Sequence, residues 1–98
     1  HDSHRRQRQM CIRDRMRLAR EILKYPESVD QAAEDLAPHR ICKQLHRLSQ
    51  AFAAFYENCP VLVEDDNTRN ERLALCRITG GILNHGLNLL GIDAPDRM

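Results

Sequence analysis

Residues 38–59 read PHRICKQLHRLSQAFAAFYENC, and the spacing of apolar side chains in this stretch decides the fold. Those side chains recur at steps of four, three, four, three and four: Ile41, Leu45, Leu48, Phe52, Phe55 and Cys59. Such steps place them on one face of an α-helix of about five turns. Pro38 suits the first turn, where a missing N–H has no cost. We therefore predict a helix over about 38–58, packed through this face against neighbouring helices.

Two helical segments precede this stretch. Residues 16–24 end an amphipathic helix, and the Tyr25-Pro26 step should break it because proline disfavours helix in the residue before it. Ser28 stands three residues ahead of Gln31, which is the spacing of a capping box. The pattern thus predicts a break followed by a short helix.

One further helix follows it. Thr68 and Glu71 have the Thr-x-x-Glu spacing of a capping box, and Gly91 is a natural stop. The mid-helix pair Gly80-Gly81 suggests a tight helix crossing or a bend. Because no segment alternates as a strand does, we predict an all-α helical bundle of about four helices.

The N-terminal residues 1–15 have a different composition from the rest of the chain. Seven Arg face two Asp in residues 1–20, whereas residues 21–98 hold eight Lys or Arg against twelve Asp or Glu. Residues 1–15 show no useful apolar period, so we expect a disordered or non-native extension there and a helical domain over 16–98. The mildly acidic body argues against a broad electrostatic grip on nucleic acid and favours a local basic stripe with stacking contacts.

Length and cysteine spacing narrow the class of protein further. Ninety-eight residues make one domain, no apolar run approaches the roughly 20 residues that span a bilayer, and we expect a cytoplasmic protein. The four cysteines lack the short paired spacings of a zinc site, so we expect reduced thiols that pack as small apolar residues. His39, Cys42 and His46 share a helix face, but one face rarely supplies three metal ligands, and we predict no metal site.

Two features of the central helix carry a candidate binding function. Arg40, Lys43 and Arg47 lie on nearly one face, either as a solvated surface or as a stripe that contacts phosphates. Tyr56 lies beside the filled apolar seam, either as an ordinary residue at the edge of the core or as a flat surface for a base. No phosphate loop, paired carboxylates or nucleophile–base arrangement is present, so we predict no catalytic residue.

Two longer stretches resemble a known family. Residues 32–62, AAEDLAPHRICKQLHRLSQAFAAFYENCPVL, are similar to the central helix of the DALR-type anticodon-binding domain of arginyl-tRNA synthetases. Residues 72–98, RLALCRITGGILNHGLNLLGIDAPDRM, are similar to that family's terminal helix and its Pro-acidic-Arg-Met tail. One departure is His85-Gly86, where the family commonly has Asn-Gly.

The resemblance implies the C-terminal part of a class I synthetase, an arginine–tRNA ligase. ATP, with Mg, would be used by a catalytic domain upstream in the same chain, and no cofactor would bind in this part. The implied partner is the anticodon stem-loop of arginine tRNA, bound by a monomer that does not associate with a membrane. The residues that the resemblance and the basic stripe assign to tRNA are Tyr56, Met98, Arg40, Lys43, Arg47, Arg72 and Arg77. The alternative is a stand-alone helical RNA-binding or protein-interaction module without synthetase activity.

Overall fold

The described part of the chain folds as three helices, each antiparallel to the one before it. A computed structural model describes residues 2–61 and 63–91, with side chains described from residue 8 onward. The helices are α1 (Asp2–Asp35), α2 (His39–Asn58) and α3 (Asp66–Leu89). The described residues contain no strand, so the all-α prediction is confirmed, but the bundle has three helices there instead of about four.

The difference arises at Pro26, which lies inside α1 and does not break it. Proline removes one backbone hydrogen bond and crowds the preceding turn, at a cost of about 3 kcal/mol. Tertiary packing offsets this cost, because Tyr25 is buried immediately before the proline and Ala32 is buried after it. Ser28 is likewise no helix cap, since its hydroxyl donates to the Gln44 side-chain oxygen of α2 at 3.3 Å.

The N-terminal part of α1 is helical and contacts the end of α2. Asp2–Arg15 continue the helix, and Cys11 is buried against Cys59 at the end of α2. Asp14 accepts a hydrogen bond from Asn58 at 2.6 Å, which further ties this segment to α2. The native or non-native origin of residues 1–15, and the domain boundary at residue 16, stay predictions.

Cys11 and Cys59 form a disulfide with a Cα–Cα distance of 5.1 Å. The expectation of four reduced thiols is therefore wrong for this pair. The two residues are separated by 48 positions, and only the antiparallel packing of α1 on α2 brings them together. Cys42 is a free, exposed thiol, while Cys76 is a free, half-buried thiol whose pKa is raised by burial.

The core follows the apolar face of α2 that the sequence predicts. Leu48, Phe55 and Cys59 are completely buried, and Ile41 and Leu45 are nearly so. They form two clusters along the bundle, one around Leu18 of α1 and the other around Tyr25, with side chains of α3 packed against both. Because its apolar face runs along its whole length, the central helix α2 packs against both α1 and α3.

The ends of α3 are set by local chemistry. Asp65, not Thr68, is the N-cap: its carboxylate accepts from the Thr68 N–H at 2.8 Å and from the Thr68 hydroxyl at 2.6 Å. These hydrogen bonds, the hydroxyl foremost, lower the pKa of the Asp65 carboxyl. At the other end Gly91 has a φ of 79°, so its predicted role as a helix stop is confirmed.

The tight crossing of α3 occurs at Gly86, not at Gly80-Gly81. A Cβ atom on Gly86 would stand 2.7 Å from both terminal carbons of Leu45, whereas Gly80 and Gly81 face open space. None of the described helices is both long enough and apolar enough to span a membrane.

Candidate nucleic-acid interface

The predicted binding residues of α2 lie on two opposite sides of that helix. Tyr56 follows Arg47 by nine residues, which is two and a half turns. Their side chains therefore leave α2 in opposite directions, about 14 Å apart along its axis. The structure does not bring Tyr56 and the basic stripe into one site.

The basic stripe lies along a cleft between α1 and α2. The cleft encloses about 420 Å³, and α1 contributes as many residues to it as α2 does. It is lined by Lys24, Glu27, Ser28, Gln31, Arg40, Lys43, Gln44 and Arg47. Four cations and one carboxylate, Glu27, therefore line the cleft, and two of those cations also pair with carboxylates at its edge, Lys24 with Glu21 and Arg40 with Asp35.

Hydrogen bonds hold the floor of the cleft in place. Gln44 is 4% exposed, and its amide nitrogen donates to the Glu21 backbone oxygen at 3.1 Å and to the Glu21 carboxylate at 2.9 Å. At the rim, Arg40 forms an ion pair with Asp35 at 3.0 Å, and both side chains remain more than a third exposed. Exposed ion pairs of this kind contribute little to the stability of the fold, so another anion can readily replace the Asp35 carboxylate beside Arg40.

Tyr56 presents its ring to solvent on the other side of α2. Its exposed fraction is 64%, which makes it the most exposed aromatic residue among those described. The ring lies 5.9 Å from that of Phe52, with an interplanar angle of 30°, and Phe52 in turn contacts Phe55 of the core. One side of the phenol ring thus packs on Phe52 and the other is open to solvent, which is the geometry that stacking of a base requires.

The other predicted residues have different surroundings. Arg72 is half-buried, and its guanidinium donates to the Pro60 carbonyl and contacts the Cys11 sulfur, so it ties the loop before α3 to α1. Arg77 is exposed on α3. Met98 lies outside the described residues, together with the Pro-Asp-Arg-Met tail.

Within the described part of the chain, no three His, Cys, Asp or Glu side chains form a group that could hold a metal ion. His39, Cys42 and His46 are exposed along α2. His85 instead meets the buried Tyr25, whose hydroxyl lies 2.7 Å from the imidazole Nδ1. The rings meet edge to face, and burial raises the pKa of the Tyr25 phenol.

Sequence reasoning missed the contribution of α1 to the cleft. Lys24 and Gln31 lie on either side of Pro26, and a helix broken at that proline would have separated them. Their spacing of seven residues, two helical turns, is a signal only once α1 is known to be continuous.

Comparison with known proteins gives this fold a family. Residues 2–98 match the DALR anticodon binding domain family. The chain is 49% identical over 81 residues to arginine–tRNA ligase of Cutibacterium acnes, covering 83% of this chain and 15% of that protein. It is 49% identical over 82 residues to arginine–tRNA ligase of Prochlorococcus marinus, covering 84% and 14%. For the Proteus mirabilis enzyme of the same name the identity is 46% over 82 residues, covering 83% and 14%.

The chain spans about one seventh of the length of these curated relatives. No solved structure matches it. A helical bundle alone would not identify a function, because such bundles serve many. The family match, however, extends over nearly every residue, including all three helices. The chain therefore belongs to the DALR anticodon-binding domain family.

Proposed function

We propose that this chain is the anticodon-binding domain of an arginine–tRNA ligase and that it binds the anticodon stem-loop of arginine tRNA. The observation that carries the proposal is the identity of 46–49% to enzymes of that name over most of the chain. The domain is proposed to comprise residues 16–98. Attachment of arginine to tRNA, with ATP and Mg, is assigned to a catalytic domain upstream of these 98 residues in the full-length enzyme, and none of the 98 residues is assigned a catalytic role.

The exposed ring of Tyr56 supports a role in base recognition. Anticodon bases are unstacked and can be splayed onto aromatic side chains. A ring that is 64% exposed and held by Phe52 has a free face for one such base. We assign Tyr56 to base stacking and Arg40, Lys43 and Arg47 to phosphates, with Arg77 and Met98 as further contacts. Arg72 already uses its guanidinium within the protein, so we give it a structural role first.

The experiment compares binding of two RNAs to the 98-residue chain. One is an arginine tRNA transcript, and the other differs only in the middle base of its anticodon. We expect tighter binding of the arginine tRNA, since the alternative helical module would have no reason to distinguish them. Equal affinity for the two transcripts would refute the anticodon role and favour that alternative.

Two variants of Tyr56 then test the stacking assignment. Tyr56→Ala should weaken binding of arginine tRNA by about 1–3 kcal/mol if a base stacks on the ring. Tyr56→Phe keeps the ring and is the matched control, so it should bind within a few-fold of the original chain. If Tyr56→Ala folds and binds as tightly as the original, the ring is only a residue at the edge of the core.

We expect the protein to act as a monomer in the cytoplasm.

A further inference from the structure

Three basic residues of α1 share one helix face. Arg17, Arg20 and Lys24 follow each other at steps of three and four, which places them on one side of the helix. Arg20 and Lys24 are exposed and Arg17 is half-buried. Repulsion between Arg20 and Lys24, four residues apart, costs the helix about 0.2–0.5 kcal/mol, and Glu21, which lies 3.9 Å from Lys24, offsets part of it.

This face of α1 leads directly into the cleft between α1 and α2. Lys24 lines the cleft together with Arg40, Lys43 and Arg47. The six cations therefore form one basic track: Arg17, Arg20, Lys24, Arg40, Lys43 and Arg47. From Arg17 to Lys24 the track follows α1 for about 10 Å, at 1.5 Å per residue, and then spreads onto α2.

Among the described residues, two of the six cations of the track have an ion-pair partner. Lys24 lies 3.9 Å from Glu21, and Arg40 lies 3.0 Å from Asp35. For the other four cations the described part of the chain shows no ion pair. A contiguous surface with a surplus of cations attracts a polyanion and releases its counterions on contact.

We infer that the basic track binds the phosphodiester backbone of the tRNA, on the side of α2 opposite to Tyr56. The inference rests on the proposed function and adds three residues of α1 to the binding surface. Contacts to phosphates carry no sequence information, whereas a base stacked at Tyr56 belongs to the anticodon. The track therefore contributes affinity at any tRNA, and the far side of α2 contributes selectivity.

The test measures the affinity for arginine tRNA of the 98-residue chain and two triple variants between 50 and 200 mM salt. The first variant is Arg17→Gln, Arg20→Gln, Lys24→Gln, which removes the charges of the three α1 residues that the inference adds. The second, Arg17→Lys, Arg20→Lys, Lys24→Arg, keeps the charge at every position and is the matched control. Thermal unfolding by circular dichroism verifies that each variant is folded.

Log K falls as log salt rises, and removing three phosphate contacts should make this negative slope shallower by about 2–3, at 0.7–0.9 per contact. Over this fourfold range of salt, the affinity of the original chain should then fall about 20–40 times further than that of the first variant. The control variant should keep the original slope. Both variants should retain the ratio of affinities for the two transcripts that differ in the anticodon.

The outcomes separate this inference from the proposed function. If the original chain prefers arginine tRNA and the first variant keeps the full salt slope, the track is overturned and the anticodon role stands. If the slope becomes shallower as expected but the original chain does not distinguish the two anticodons, the track stands and the anticodon role fails. An original chain that binds neither transcript would overturn both.

Discussion

Replacing Gly86 by alanine tests how closely α2 and α3 approach each other. The added Cβ would lie 2.7 Å from both Cδ atoms of Leu45 and 3.1 Å from its Cγ. Carbon atoms in contact prefer about 3.5–4.0 Å, so Leu45 would have to retreat by about 1 Å. Leu45 is only 6% exposed and packs in the cluster around Tyr25, which leaves it little room to do so.

Two opposing terms set the size of the effect. Overpacking of this kind costs about 1–3 kcal/mol, while alanine gains about 1 kcal/mol over glycine in a helix interior. At Gly80, where nothing lies within 4 Å of the added atom, only the gain applies. Gly86→Ala should therefore be less stable than Gly80→Ala by about 1–3 kcal/mol. In a domain of this size each kcal/mol moves Tm by about 4–8 °C.

The assay is thermal unfolding of both variants, with Gly80→Ala as the matched control. A second comparison repeats Gly86→Ala in a Leu45→Ala background, measured by urea unfolding because that background loses about 2–5 kcal/mol. Without the Leu45 side chain the clash disappears, and Gly86→Ala should become stabilising. If Gly86→Ala raises Tm as much as Gly80→Ala does in the original chain, the close crossing at Gly86 is refuted.

Two further predictions concern the ends of α1 and α3. Leu36 has a φ of 51°, a left-handed backbone conformation that is strained for a residue with a β-carbon, and its side chain is 88% exposed. Leu36→Gly relieves this strain and loses few contacts, so it should raise the free energy of unfolding by about 1 kcal/mol. Chemical denaturation would show it, and a less stable Leu36→Gly protein would contradict it. Asp65→Ala should lower Tm at pH 7, whereas Asp65→Asn should preserve it, since asparagine also caps helices. The lowered pKa of Asp65 means that its ionised carboxylate stabilises the folded state above the unfolded pKa, so the Tm loss should shrink as pH falls through the folded pKa. A loss independent of pH would argue against a contribution of the carboxylate charge to the cap.

The helical class and the central helix follow from the sequence because α2 is specified by its own period. Its predicted bounds agree with His39–Asn58, and the apolar seam from Ile41 to Cys59 forms the core. Local rules failed where packing outweighed them. Pro26 is a helix breaker in isolation, but α1 is held on both sides of it by buried Tyr25 and Ala32.

The candidate site was predictable only in part, for the same reason. Single-helix reasoning finds Arg40, Lys43 and Arg47 on one face, and it also finds Tyr56. It does not find Lys24, because the partnership of Lys24 with these residues depends on how α1 lies across α2. The Cys11–Cys59 disulfide is hidden for an equivalent reason, since 48 residues of chain separate its ends.

The placement of the basic stripe and Tyr56 on opposite sides of α2 has a consequence for how this domain can change over time. Side chains that share no partner and stand more than about 10 Å apart contribute almost additively to a binding free energy. Under the proposed function, a lineage that lives at higher ionic strength can add charges along α1 without changing the proposed base contact of Tyr56. Likewise, under that proposal, a change around Phe52 and Tyr56 can alter which RNA is preferred while the affinity contributed by the basic residues is retained. Under the proposed function, the affinity for RNA and the preference among RNAs thus reside on two surfaces of the bundle that can change separately.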